Sequence, residues 1–184
     1  SVDLGEKINS HAKAIIHGWY PGALGGLAVA KLLKGEFSPS GKLPVTFYKQ
    51  ENSLPDFTDY DMSGRTYRYL KEEPLYPFGF GLGFSKIRYN EAQIISHDND
   101  SIKLKVSLTN EGEFDTVEKT QVYAKFTDSR TGTPNYQLCG IKAMMLNRGE
   151  TAEAEIEINN YWLKAVLENG ERVTPDGQIE LFVG

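Results

Sequence analysis

Residues 64–84 read Gly64-Arg65-Thr66-Tyr67-Arg68-Tyr69-Leu70-Lys71-Glu72-Glu73-Pro74-Leu75-Tyr76-Pro77-Phe78-Gly79-Phe80-Gly81-Leu82-Gly83-Phe84. Six of these side chains are aromatic, and Tyr60 just upstream adds a seventh ring. Pro74 and Pro77 forbid a continuous helix, because proline lacks the amide donor and clashes with the preceding turn. Gly79, Gly81 and Gly83 alternate with Phe80, Leu82 and Phe84. That alternation suits an extended backbone lying close against another surface while its large side chains pack. Each ring can bury on the order of 150–250 Å², so the stretch is expected to be an irregular connector packed between two structured regions.

Downstream of Phe84 the pattern has period two. Ile102, Leu104, Val106 and Leu108 alternate with Lys103, Lys105 and Ser107; Val122, Ala124 and Phe126 alternate with Tyr123 and Lys125. Ala152, Ala154, Ile156 and Ile158 alternate with Glu153, Glu155 and Glu157, and Ile179, Leu181 and Val183 with Glu180 and Phe182. Turns are expected at Asn110-Glu111-Gly112, Asn147-Arg148-Gly149, Glu168-Asn169-Gly170 and Pro175-Asp176-Gly177. With Ile87–Ile95 and Gln137–Leu146 added, about seven strands fit into roughly a hundred residues, the pattern of an immunoglobulin-like or fibronectin-type sandwich. Cys139 is the only cysteine, so an internal disulfide is excluded, and it is expected to behave as a small buried apolar residue.

Upstream, the spacing predicts a helix over Asp3–Ala14, a buried strand over Ala14–Tyr20, a tight turn at Pro21–Gly26, a helix from about Leu24 to Lys34 capped by Gly35, and a short strand over Leu43–Tyr48. Leu27, Ala30 and Leu33, or Ala28 and Leu32, are its expected inner face. Helix, strand, helix, strand is the rhythm of an α/β sheet, yet two strands and two helices cannot bury their own apolar faces. These residues therefore read as the last part of a larger α/β domain. Glu51–Gly64, with Pro55, Asp56, Asp59 and Asp61, reads as a polar surface loop.

Composition is that of an ordinary globular protein: 184 residues, 40% hydrophobic, 24% charged. A net charge of −5 argues against nucleic acid and acidic membranes as partners. No apolar run approaches the roughly 20 residues that span a bilayer. Ser1 to Glu6 lacks the basic start and apolar core of a secretory leader; without an initiator Met it says little about the native start.

The motifs Trp19-Tyr20-Pro21-Gly22, Gly25-Gly26, Gly35 through Pro39-Ser40-Gly41-Lys42-Leu43-Pro44-Val45-Thr46-Phe47, Gly64-Arg65-Thr66-Tyr67-Arg68-Tyr69 and Leu75-Tyr76-Pro77-Phe78-Gly79-Phe80-Gly81-Leu82 resemble, in order and spacing, the end of family 3 glycoside hydrolases, the β-glucosidases and β-xylosidases. Thr109-Asn110-Glu111-Gly112 and Gln121-Val122-Tyr123 look like the fibronectin-like domain that ends many of them. Lys42 stands where Arg is common, and Gly83-Phe84 where Ser-Tyr is usual. The resemblance implies a mixed fold class: a C-terminal remnant of an α/β sandwich domain, then an all-β immunoglobulin-like (fibronectin type III-like) sandwich. It implies a domain division of 1–50 for the α/β tail, 51–85 for the aromatic connector and 86–184 for the fibronectin type III-like domain.

A retaining glycosidase needs two carboxyl groups about 5–5.5 Å apart. In the family that this chain resembles, the nucleophile is an Asp in a Ser-Asp-Trp-like motif of a TIM barrel, and the acid/base is a Glu upstream of the part matched here. No Ser-Asp-Trp occurs in this sequence; Trp19 and Trp162 have other neighbours. The expected set of catalytic residues is therefore empty, no substrate-binding residue is assigned, and no metal or cofactor is expected. His11, His17 and His97 lack metal-ligand spacing. Gly35–Lys42 has five residues between its first glycine and Gly41, with Leu43 after the lysine, which departs from a phosphate loop. Asp56, Asp59 and Asp61 are expected to form a solvated loop with an ion pair to Arg65 or Arg68, and Glu153, Glu155 and Glu157 the solvent face of a strand. The implied partners are the catalytic barrel, the remainder of the α/β domain and a β-glycoside substrate. A second reading is a carbohydrate- or protein-binding module; exposed rings would mark it, packed rings a structural role.

Overall fold

The computed structural model describes residues 4–49, 55–56 and 58–184. Helix α1 spans Glu6–His11, shorter than the expected Asp3–Ala14, whose first residue lies outside the described residues. It has no side-chain cap and no buried residue, so little extends it. Helix α2 spans Gly25–Leu33. It ends as expected on Gly35, at φ 72°: the Gly35 amide donates to Leu32 O at 2.9 Å and the Glu36 amide to Lys31 O at 3.0 Å, a Schellman cap. The helix α3 is a single turn, Thr66–Tyr69.

Three expectations for this tail need correction. Ala14–Tyr20 is not a strand: it is extended or irregular, and its Ile15, Ile16, Trp19 and Tyr20 side chains are exposed. A strand needs a neighbour for its amides, and the described residues supply none. Leu43–Tyr48 contracts to one antiparallel bridge, Phe47 with Tyr76. Similarly, Leu27 and Leu33, expected inside α2, are exposed, because no described element packs over that face.

The rest is a β-sandwich. Its strands are β1 (Ile87–His97), β2 (Ser101–Asn110), β3 (Thr116–Thr127), β4 (Gln137–Leu146), β5 (Thr151–Asn159), β6 (Ala165–Val166), β7 (Arg172–Val173) and β8 (Gln178–Val183). One sheet has the order β1-β2-β5, the other β4-β3-β8, and β6-β7 is a small ribbon; all pairs are antiparallel. Ile102, Leu104, Val106 and Leu108 of β2 pack with Ala154, Ile156 and Ile158 of β5 against Val122, Ala124, Cys139 and Leu146. On the outer face Lys103 pairs with Glu157 and Lys105 with Glu155 in the register, so the three glutamates of β5 face solvent as expected. Asn110 is fully buried at the expected turn; its amide donates to Phe114 O and Leu146 O, and its oxygen accepts from the Gly112 amide.

Candidate functional site

The connector sits where the tail meets the sandwich. On the tail side the Leu43 amide donates to Phe80 O at 2.8 Å, the Gly79 amide to Leu43 O at 2.7 Å and the Phe47 amide to Tyr76 O at 2.9 Å. The Thr66 amide donates to the Tyr48 hydroxyl and the Tyr67 amide to Thr46 Oγ1. On the sandwich side the Asn135 amide donates to Arg68 O at 2.7 Å. The Leu138 amide, beside a bulge in the β3–β4 pairing, donates to the Tyr67 hydroxyl at 3.1 Å.

The rings form two runs. Trp19, His17, Phe47, Tyr76 and Phe80 follow one another at centroid distances of 4.3, 5.4, 6.1 and 5.3 Å. Tyr67 stacks on Phe78 at 4.3 Å, and both meet the edge of Tyr123 on β3. Phe47 is buried, while Tyr67, Tyr69, Tyr76, Phe78 and Phe80 are half-buried; Tyr60 and Phe84 are exposed, contrary to the expectation that all seven rings pack. Close approach explains the glycines. A Cβ on Gly79, at φ 83°, would collide with the Tyr123 hydroxyl and Gln121, and one on Gly81 with the carbonyl oxygen of Gly41.

The acidic loop behaves differently from its expected ion pair. Arg65 donates to the backbone oxygens of Asp56, Asp59 and Asp61 at 3.2, 2.6 and 2.9 Å. The three carboxylates instead accept from nearby amides: Asp56 from Thr58, Asp59 from Asp61 and Asp61 from Ser63. The Thr58 hydroxyl and amide hold the Asp56 carboxyl below the usual carboxylate range. Arg68 donates to Gln137 Oε1 at 2.9 Å.

A groove of about 480 Å³ lies between Pro39–Lys42, Gly81–Ile87 and the β3 residues Thr116 and Glu118. At its edge Lys42 Nζ lies 3.2 Å from Glu118 Oε1, which also accepts from the Tyr89 hydroxyl at 3.0 Å. Burial, with Glu118 adjoining, pushes the Tyr89 phenol up. This tail-to-sandwich ion pair was not read from the sequence; the only signal was an acid among the threonines 116 and 120. Burial pushes the Cys139 thiol up to about 12, and its Sγ lies 3.3 Å from Val122 O, as expected of a packed cysteine. Among the described residues no group of three His, Cys, Asp or Glu could hold a metal ion, and no helix is long and apolar enough to cross a membrane.

An α/β tail stapled by an aromatic connector to a fibronectin-like sandwich defines the class. Residues 1–84 match the family model described as the glycosyl hydrolase family 3 C-terminal domain, and residues 118–184 the fibronectin type III-like domain. The chain is 36% identical to a xylan 1,4-beta-xylosidase of Xylanibacter ruminicola, over 93% of this chain and 20% of that protein. It is 28% identical to a periplasmic beta-glucosidase of Salmonella typhimurium, over 97% of this chain and 25% of that protein. Among solved structures, beta-glucosidase 3B from Thermotoga neapolitana, in complex with glycerol, superposes with a TM-score of 0.78 at 30% identity, covering 88% of this chain and 25% of that one. DesR, a beta-glucosidase from Streptomyces venezuelae, superposes with a TM-score of 0.81 at 26% identity, covering 90% and 24%. The chain belongs to the C-terminal region of glycoside hydrolase family 3 and ends in a fibronectin type III-like domain. It spans about a fifth to a quarter of the length of these relatives.

Proposed function

We propose that this chain is the non-catalytic C-terminal part of a β-glycosidase that removes terminal β-D-glucosyl or β-xylosyl units with retention, and that it supports the catalytic domains. The observation that carries this reading is the apolar surface of the tail. Ile15, Ile16, Trp19, Tyr20, Leu24 and Leu33 are all exposed, on a segment whose relatives are four to five times longer. Such a patch fits an interface. The rest of the α/β domain and the barrel are the partners proposed for it, on the division 1–50, 51–85 and 86–184; the first boundary, at 50/51, lies outside the described residues. No nucleic acid or membrane enters this reading.

Hydrolysis of aryl β-glucosides and β-xylosides tests this. The chain alone is expected to give no turnover above the uncatalysed rate. The parent enzyme lacking these residues is expected to lose activity and to regain some when the chain is added back. Turnover by the chain alone that Asp56→Ala, Asp59→Ala or Asp61→Ala abolishes would make that residue catalytic and overturn the reading.

A further inference from the structure

The turn after β5 carries two rings that the connector does not use. Tyr161 and Trp162 lie on a 3-10 turn, Asn160–Leu163. Their centroids are 5.3 Å apart with planes at 84°, and they are 45% and 55% exposed. The mount beneath them is rigid. Asn159 Oδ1 accepts from the Tyr161 amide at 2.8 Å, Asn160 Nδ2 donates to Asp98 O and Asn99 O, and Leu163 is buried in the core. The Arg172 guanidinium lies 4.7 Å from the Tyr161 centroid. The Trp162 carbonyl accepts from Gln137 Nε2, and Gln137 Oε1 accepts from Arg68 of the connector.

Large apolar rings held in water are unfavourable, and such patches mark binding sites. The connector rings show the alternative, since Tyr67 and Phe78 are packed on Tyr123. We propose that Tyr161, Trp162 and Arg172 form a carbohydrate platform that takes a pyranose unit of a β-linked glycan. Three features favour this occupant. A β-linked pyranose presents a flat face of axial C–H groups that matches an exposed indole. Its rim of hydroxyls matches the fork of Arg172, whose donors lie in one plane. The patch joins a cation to aromatic rings instead of offering an aliphatic cleft of the kind that takes a peptide helix. Through Gln137, a glycan seated here is also registered against the connector. The choice of xylan-type probe rests on the proposed function; the platform does not, because binding needs no turnover.

The test uses the 184-residue chain. Trp19 and Trp162 are its only tryptophans, so Trp19→Phe leaves Trp162 as the sole indole reporter. Xylohexaose is expected to change its fluorescence saturably, and the chain is expected to be retained on insoluble xylan. Trp162→Ala is expected to weaken xylohexaose binding, measured by calorimetry, by at least about tenfold, as for truncation of an aromatic anchor, with an unchanged melting curve. Trp162→Leu keeps apolar bulk without the ring, so it serves if the alanine variant melts early. Absence of saturable binding, or an affinity in both Trp162 variants equal to that of the unsubstituted chain, overturns the proposal. Protection of Trp162 from N-bromosuccinimide by the rest of the parent enzyme, without protection by xylohexaose, also overturns it and makes the patch a domain interface. An inactive chain that binds xylohexaose supports the platform whatever becomes of the parent's activity.

Discussion

The buried core cluster runs from Ile102 to Leu163, entirely within the sandwich. In the tail, Leu4, Ile8, Ile15, Ile16, Trp19, Leu24, Leu27 and Leu33 are all exposed, and the buried side chains, Ser38, Thr46 and Phe47, are those facing the connector. Apolar content does not separate the two regions; enclosure does. The sandwich closes two sheets on each other, so each strand's inner face has a partner. The tail presents similar residues with nothing over them except where the connector reaches. Among the described residues the tail is therefore held to the sandwich through the connector and the Lys42–Glu118 ion pair, while its other face stays exposed.

The largest effect concerns that contrast directly. Amide exchange is expected to be slow throughout β2, β3 and β5 and near unprotected at Ile15–Trp19, because the latter amides have no ladder. A chain of residues 86–184 is expected to unfold cooperatively, and a chain of residues 1–50 to show no protected amides. Slowly exchanging amides in the chain of residues 1–50, at Ile15–Trp19 or in either helix, would mean that the tail folds by itself and would erase the comparison.

How much of this was legible follows from the same physics. The strands β2 and β5 were readable because their inward residues are apolar and their outward ones charged. The first half of β3 was not: its inward positions are Thr116, Glu118 and Thr120, so hydrophobic alternation begins only at Val122. In the tail, composition alone suggested strands at Ala14–Tyr20 and Leu43–Tyr48, but a strand is a pairing, and pairing depends on neighbours that local sequence does not display. At the site, the glycine–aromatic alternation correctly announced close packing. It did not reveal that Arg65 takes carbonyl oxygens, since a list of nearby aspartates does not show that each carboxylate closes on its own turn.

Within the connector, the staple is expected to break at its closest contacts. Tyr67→Ala removes a ring stacked on Phe78 and the acceptor of the Leu138 amide, and is expected to destabilise by about 3 kcal/mol, the lower end for an aromatic truncation because the ring is half-buried. Gly81→Ala forces a methyl group onto the Gly41 carbonyl and is expected to cost about 2–3 kcal/mol. Denaturant midpoints would measure both. A Tyr67→Ala midpoint matching the wild type would show that the rings do not staple and would return them to the pool of exposed sugar-binding candidates.

The sandwich face of the staple also carries a pH signature. Burial, then the neighbouring Tyr67, pushes the Tyr123 phenol up to about 12, whereas an unfolded tyrosine ionises near pH 10. The folded state therefore holds this proton more tightly. Its contribution is fully present below about pH 10 and is lost as pH rises through about 12. Stability measured by urea unfolding is expected to fall across that window, and Tyr123→Phe is expected to flatten the fall. An identical slope in the variant would place the titration elsewhere, with Tyr89, also raised by burial, next in line.

The smallest effect is expected where charge is densest. Asp59 lies in the acidic loop beside Arg65, and a reading from charge alone would make the pair a clasp. In the structure Arg65 donates to the backbone oxygen of Asp59 at 2.6 Å, a contact that alanine keeps, while the carboxylate only caps the Asp61 amide at 2.9 Å. Asp59→Ala therefore removes one exposed turn bond and leaves the arginine held. The expected destabilisation is less than about 1 kcal/mol, the scale of an exposed polar contact. Arg65→Ala strips three carbonyl contacts at once and is expected to cost more than Asp59→Ala, with a larger drop in melting temperature. The reverse order would show that the loop is held by charge, and would shift the clasp between tail and sandwich from the rings and glycines of the connector to its acidic residues.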